Sequence, residues 1–236
     1  MLEASGIVMA FGGVLALDGV DFRVAESAAV GLLGQNGSGK TTLLNVITGH
    51  LRPQKGSVGF RGQPMLGLAP NAFARAGIAR VFQSVQVFPR LTVLENVRVA
   101  QIAAGRQDAS SAEAAREALR RVRLAEYADE LARDVSYGHQ RLLEIAMALA
   151  AGARLILLDE PTAGLAASLV ETVVACLKEI NARGTSLVLI EHETEVVFRV
   201  CRDVYVLSEG KLLARGTPAE IRSNSQVLDL YLGAPR

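Results

Sequence analysis

An α/β fold is what this 236-residue sequence predicts, and two observations carry the prediction. Short continuous apolar runs alternate with stretches of helical period, the pattern of a buried parallel sheet covered by helices. Between the run Ala28-Ala29-Val30-Gly31-Leu32-Leu33 and the helical pattern Leu43-Leu44-Asn45-Val46-Ile47 lies Gly34-Gln35-Asn36-Gly37-Ser38-Gly39-Lys40-Thr41-Thr42. That is a phosphate-binding loop in its strand-to-helix setting.

The residue types in the loop fit anion binding. Glycines such as Gly34, Gly37 and Gly39 let backbone N–H groups turn inward, and Asn36 and Ser38 sit between them. The following helix adds roughly half a positive charge at its N-terminus. Lys40 can reach the β- and γ-phosphates, the Thr41 hydroxyl is placed to ligate Mg²⁺, and Thr42 extends the polar start of the helix. A nucleoside triphosphate with Mg²⁺ is the expected ligand.

Composition narrows the class. With 50% hydrophobic residues, 21% charged and a net charge of +1, the chain reads as a globular protein without the basic footprint of a nucleic-acid binder. Its length suits one large domain or a domain with an inserted subdomain. No apolar run approaches the roughly 18 residues of a spanning helix, and Met1-Leu2-Glu3-Ala4-Ser5 lacks the pattern of a secretory signal. A cytosolic chain, held at a membrane only by a partner, is expected. Cys176 and Cys201 form no C-x-x-C and are expected to be reduced, buried thiols.

Taken in order, Ile7 to Phe11 and Val14 to Val24 read as strands of an antiparallel edge layer, broken by Gly12-Gly13. Phe11 beside that turn fits either a core position or a stacking platform for a base. Ser57-Val58-Gly59-Phe60 reads as a strand and Leu66 to Ala76 as a short helix. Gly77-Ile78-Ala79-Arg80-Val81-Phe82 runs into Gln83, which at the end of such a strand can touch Mg²⁺ or the attacking water.

From about Leu91 to Asp134 strand signals vanish, and an inserted helical subdomain is predicted, with a capping box at Ser110-Ser111-Ala112-Glu113 and an apolar face at Ala114, Ala118, Leu119 and Val122. Ser136 can cap the helix Arg141 to Ala150, offering either a plain cap or a second helix N-terminus for an anion. Leu155-Ile156-Leu157-Leu158-Asp159-Glu160 is a buried strand ending in two carboxylates. In a phosphate-loop protein Asp159 can hold the Mg²⁺ shell and Glu160 can deprotonate the attacking water. Pro161 to Leu165 turns into a helix from about Ser168 to Ala182. Ser186 to Ile190 is the next strand, with His192 at its end poised to sense a γ-phosphate. Val204 to Leu207 and Lys211 to Ala214 bracket a hairpin, and a helix occupies the tail from Thr217.

Assembled in this order, the pieces resemble the ATP-binding subunits of ABC transporters over nearly the whole chain. Gly34 to Thr42 is similar to their Walker A, Gln83 to their Q-loop, Ser136-Tyr137-Gly138-His139-Gln140 to their signature, Leu155 to Glu160 to their Walker B, Ala163 to Ala166 to their D-loop, and His192 to their switch histidine. Phe11 falls where that family keeps an aromatic residue against adenine. Gly77 to Gln83, Leu91 to Val97, Ser136 to Arg141 and Gly216 to Ile221 are similar to the branched-chain amino acid uptake branch, with urea-uptake and lipopolysaccharide-export ATPases as near relatives. Tyr137 and His139 replace the usual Gly and Gln, Ala166 stands where Asp or Asn is usual, and Ser27 replaces a common Gly.

The resemblance implies a phosphate-loop NTPase with a RecA-like core sheet, an antiparallel β edge layer and a helical subdomain at about residues 86–150, within a domain spanning 5–232. It implies ATP and Mg²⁺, contacts from Ser136, Gly138 and Gln140 to a neighbour's nucleotide, and a head-to-tail pair of ATP-binding subunits, homodimeric or heterodimeric. Membrane permease subunits at the cytoplasmic face of the plasma membrane and, indirectly, an external solute-binding protein complete the expected assembly. A nucleotide-gated clamp outside transport and a non-hydrolysing subunit are the rival readings.

Overall fold

Period-two alternation sorts the side chains of the central sheet between two cores. The computed structural model describes residues 1–106, 111–191 and 194–232. A hairpin of β1 (Leu2–Phe11) and β2 (Val14–Val24) precedes β3 (Ala29–Gly34), which leads through the glycine-rich loop into α1 (Lys40–Ile47). β4 (Lys55–Phe60) and β5 (Gln63–Pro64) follow, then α2 (Pro70–Ala76) and β6 (Ile78–Val81). A helical block of α3 (Val93–Ala103), α4 (Ser111–Arg121) and α5 (Tyr137–Ala150) separates β6 from β7 (Leu155–Asp159). The chain continues with α6 (Ala167–Ala182), β8 (Ser186–Ile190), α7 (Thr194–Val200), the hairpin β9 (Asp203–Ser208) and β10 (Lys211–Gly216), then α8 (Pro218–Ser223) and α9 (Ser225–Leu232).

The central sheet has the order β10-β9-β3-β8-β7-β6, parallel from β9 to β6 with β10 antiparallel at its edge. A second, antiparallel sheet runs β2-β1-β4-β5. Along β7, Leu155 and Leu157 face Phe22 and Phe60 of the second sheet and Leu44 of α1. Ile156 and Leu158 face the other way, into Leu142 and Ile145 of α5 and Val173 and Leu177 of α6. Burial on both faces is why this strand is uninterrupted hydrophobe, each such side chain stabilising the fold by about 1.5–3 kcal/mol. The polar ends of β3, β6, β7 and β8 therefore open on one edge, where an α/β sheet places ligands.

Local starts and stops explain where elements differ from the sequence expectation. The helix expected from Leu66 begins at Pro70, whose missing N–H costs nothing at the first helical position. The helix expected from Arg141 begins four residues earlier, at Tyr137, because Ser136 caps it there. On α4 the buried face is Ala115, Ala118 and Leu119, continued by Val122, while Ala114 is exposed, since 115/118/119/122 is the stripe that meets the neighbouring helices. Ser110 lies outside the described residues. Reciprocal capping boxes do form at Thr92/Glu95 and Thr217/Glu220. Cys176 and Cys201 are free and buried, and burial pushes both thiols up.

Ala166 occupies the N-cap of α6 and supplies no side-chain acceptor to its first turn. Ala166→Asp is expected to raise unfolding free energy by about 0.5–2 kcal/mol through the missing cap, read as a shifted midpoint in denaturant titration.

Candidate functional site

The glycine-rich loop is braced from three sides. Gly39, at φ +103, is the N-cap of α1, and a Cβ there would stand 2.6 Å from the Ala16 carbonyl oxygen, so only glycine fits against β2. Ser38 donates its N–H to the Gln35 carbonyl at 3.1 Å, and Gly210, in the β9–β10 turn, donates to the Ser38 carbonyl at 3.1 Å. Gln35 reaches the far end of the chain, its carboxamide donating to the Leu230 carbonyl of α9 at 2.5 Å.

Lys40 lies 8% exposed. Its ammonium donates to the carbonyls of Gly34 at 2.7 Å and Gln35 at 2.9 Å. Two of its three protons are thereby engaged and the side chain is held back over its own loop. Burial lowers the Lys40 pKa, while the negative charges of Glu160 and Asp159 oppose that shift. A cavity of about 160 Å³ lies against Asn36, Gly37, Lys40, Thr41, Asp159 and Glu160, with Gly39 and Thr42 also on its wall. The buried Ser38 hydroxyl has no hydrogen-bond partner.

The acidic side is set by strand register. Parallel pairing of β6 with β7 brings Arg80 alongside the end of β7, and its guanidinium donates to Asp159 at 2.9 Å and to Asn45 of α1 at 2.6 Å. The Arg80 and Asp159 side chains are only 8% and 12% exposed, so each offsets the desolvation of the other. Glu160 leaves the strand at φ +50, a left-handed conformation that costs of order 1–3 kcal/mol in a non-glycine residue. Its N–H is taken by the Ile190 carbonyl at 2.9 Å, and its carboxylate accepts the Gln83 carboxamide at 2.9 Å. Buried Glu191, at the end of β8, accepts both the N–H and the hydroxyl of Thr162, at 2.8 and 2.7 Å, and so fixes the turn after Glu160.

The structure thus brings Lys40, Thr41, Thr42, Asp159 and Glu160 to one cavity and puts Gln83 against Glu160. Phe11 is 46% exposed at the tip of the first hairpin, which rules out its core reading. Ser136, Gly138 and Gln140 open α5 and do not line that cavity. Ser136 Oγ accepts the His139 N–H at 3.2 Å and so caps α5. Gly138 is buried against Leu165 and Leu169, and the Gln140 carboxamide turns back to the Ala132 carbonyl at 2.8 Å, closing the preceding loop. His192 lies outside the described residues. Arg80, Glu191, Arg141 and Glu144 escaped the sequence reading. The available signal was a charged residue inside an apolar period, Arg80 within a strand and Arg141 and Glu144 three apart on a helix.

This chemistry suits a polyphosphate. A buried hydroxyl without a partner, a lysine proton beyond the two engaged and the N-terminus of α1 are the donors this loop has to offer an anion. Thr41 and Asp159 offer the hard oxygens Mg²⁺ takes, and Mg²⁺ is usually held by one or two carboxylates together with substrate phosphates. The fold and the site define a phosphate-loop ATP-binding protein.

Comparison with known proteins narrows that class. The ABC transporter family model matches residues 17–163, and the model for branched-chain amino acid ATP-binding cassette transporters matches residues 211–236. The chain is 36% identical to the high-affinity branched-chain amino acid transport ATP-binding protein BraF of Pseudomonas aeruginosa, over 99% of this chain and 98% of BraF. A crystal structure of an ATP-binding cassette of an ABC transporter in its ADP conformation superposes with a TM-score of 0.91 at 31% identity, covering 99% of both chains. A dimeric bacterial ABC transporter cassette superposes at 0.80 with 27% identity, covering 92% of this chain and 99% of the other. The chain belongs to the ABC transporter ATP-binding family, and its activity is ATP hydrolysis coupled to transport.

Arg80→Ala would strand the Asp159 carboxylate in a buried site. Unfolding free energy is expected to drop by about 3–5 kcal/mol, measured by denaturant titration against the wild type.

Proposed function

We propose that this chain powers uptake of branched-chain or related amino acids through a membrane permease, working as a pair with a second ATP-binding subunit. The observation that carries the catalytic part is the contact between Gln83 and Glu160 at the mouth of the cavity that Lys40 and Asp159 share.

In this reading the triphosphate lies along the start of α1. The loop N–H groups, the Ser38 hydroxyl and Lys40 hold its β- and γ-oxygens, and Phe11, exposed at its hairpin tip, stacks on the base. Thr41 and Asp159 would hold Mg²⁺, which supplies charge neutralisation at the phosphates; Arg80, bonded to Asp159 at 2.9 Å, holds that carboxylate in place. Glu160 accepts a proton from a water in line with the γ-phosphorus, and Gln83 steadies the accepting carboxylate and that water. His192, next after the buried Glu191, is assigned the role of γ-phosphate sensor. A second subunit would face this nucleotide with its own Ser136 helix, whose capped N-terminus adds N–H donors to the γ-phosphate. Gly138 seats that helix's first turn against Leu165 and Leu169 of its own chain, while Gln140 holds the loop that delivers it.

Support for a permease partner comes from a groove of about 520 Å³ between α2, β6 and α3, with Phe73, Ala79, Phe82, Ala100 and Ala103 on its wall. Among the described residues no helix is long and apolar enough to cross a membrane. An apolar permease segment seated in the groove would lie against Arg80 and Phe82, next to Gln83, and would hold the chain at the cytoplasmic membrane face. Support for the substrate comes from the match at 211–236 and from what BraF is named for. An external solute-binding protein would deliver the substrate to the permease.

Glu160→Gln is expected to keep ATP binding and lose about 10²–10⁴-fold in kcat, the usual contribution of a positioned general base. Lys40→Ala is expected to abolish ATP binding in a fluorescence titration. Purification from membranes is expected to bring permease subunits with it, and reconstituted vesicles should take up leucine, isoleucine or valine. Uptake of urea instead, or export of lipid, would reassign the transporter.

A further inference from the structure

The segment leaving β6 has no regular secondary structure, so its backbone groups must find partners elsewhere. They find them on two helices. Arg141 of α5 is wholly buried, and its guanidinium donates to the main-chain carbonyls of Phe82 and Gln83, to Glu144 Oε2 at 2.9 Å and to the Tyr137 hydroxyl at 3.3 Å. Glu144, one turn further on and 6% exposed, uses its other oxygen to accept the Gln86 N–H at 2.9 Å. Asn96 of α3 completes the grip, accepting the Phe88 N–H at 2.7 Å and donating to its carbonyl at 3.0 Å. The side chain of Gln83 points the opposite way, to Glu160.

We propose that Arg141 and Glu144 are positioning residues for hydrolysis: they fasten the Gln83 segment to α5, so that the placement of Gln83 on Glu160 follows the position of the helix that begins at Ser136. The inference rests on the assignment of Gln83 and Glu160 to the ATP site.

Two physical points make the fastening stiff. A buried guanidinium cannot release a carbonyl into water, so displacing the segment from α5 leaves an unmatched charge in a dry environment. Arg141 also spans two consecutive carbonyls and a carboxylate with one planar group, which a lysine cannot reproduce. The consequence concerns two sites at once. The start of α5 serves the nucleotide held by a second subunit, whereas Gln83 serves the nucleotide of its own chain. Docking of α5 on a neighbour's γ-phosphate is thereby carried through one turn of helix to the chain's own water-activating carboxylate.

A kinetic cycle separates positioning from mere packing. Arg141→Lys, Gln83→Ala and the double variant are compared for kcat, KM and nucleotide Kd, with Glu144→Gln as a shape-preserving second probe should Arg141→Lys fail to fold. Arg141→Lys is expected to lower kcat about tenfold, as small misplacements of catalytic groups do, with KM and Kd within about twofold of wild type. In the Gln83→Ala background the same change should cost nothing further, because its effect passes through Gln83. Glu144→Gln should show the same pattern at smaller size. Folded variants with wild-type kcat, or losses that multiply in the double variant, overturn the proposal. A wild-type kcat for Gln83→Ala alone would instead overturn the role of Gln83 on which it stands.

Discussion

An apolar sheet that ends in charge is the constraint on which this structure depends. Four core strands, three of them buried on both faces and β6 at the sheet edge, deliver Lys40, Arg80, Asp159 and Glu191 to one end of the sheet, and none of these four side chains is more than slightly exposed. Each alone would be expensive there. Together they cancel: Arg80 answers Asp159, the loop carbonyls receive Lys40, and Thr162 satisfies Glu191. The acids beside Lys40 hold back the fall in its pKa that burial causes. That end is therefore a set of fixed charges in a low-dielectric setting, and fixed charge is what stabilises phosphoryl transfer without reorganisation.

Around that end the molecule is wired so that distant segments share backbone partners with the site. The hairpin turn at Gly210 bonds to Ser38 inside the phosphate loop, and α9 receives Gln35. The helical block reaches the site through Arg141 and Glu144. The first two links are single hydrogen bonds and the third is three, which ties segments far apart in the sequence to the site of a protein whose ATP hydrolysis is coupled to transport.

The sequence was most informative where chemistry is local. The loop from Gly34 to Thr42 and the run from Leu155 to Glu160 announce themselves because residue type, spacing and flanks are all contiguous, and both lie where they were expected. Pairing between strands is not contiguous. Arg80 meets Asp159 only because β6 and β7 align in one particular register, and Arg141 meets the Gln83 segment only because α5 crosses beneath it. A charged residue in a sequence reads as solvated, so partners buried with one another escape notice. Residue type left Phe11 open between a core position and a stacking platform, and the two-residue turn at Gly12-Gly13, which leaves it on a hairpin tip, removes the first. Ala114 gave way to Ala115 because a one-residue shift rotates a helix face by about 100°.

The close packing at Gly138 has a consequence for anyone who would exchange parts between cassettes. A methyl group there would overlap Leu169 of α6 and touch Leu165 in the turn before it. The opening of α5 is thus moulded to the entrance of α6. A chimera whose imported stretch at 136–140 lacks glycine at 138 must also bring a smaller or repositioned neighbour at 169, or the opening of α5 cannot seat on α6 as it does here.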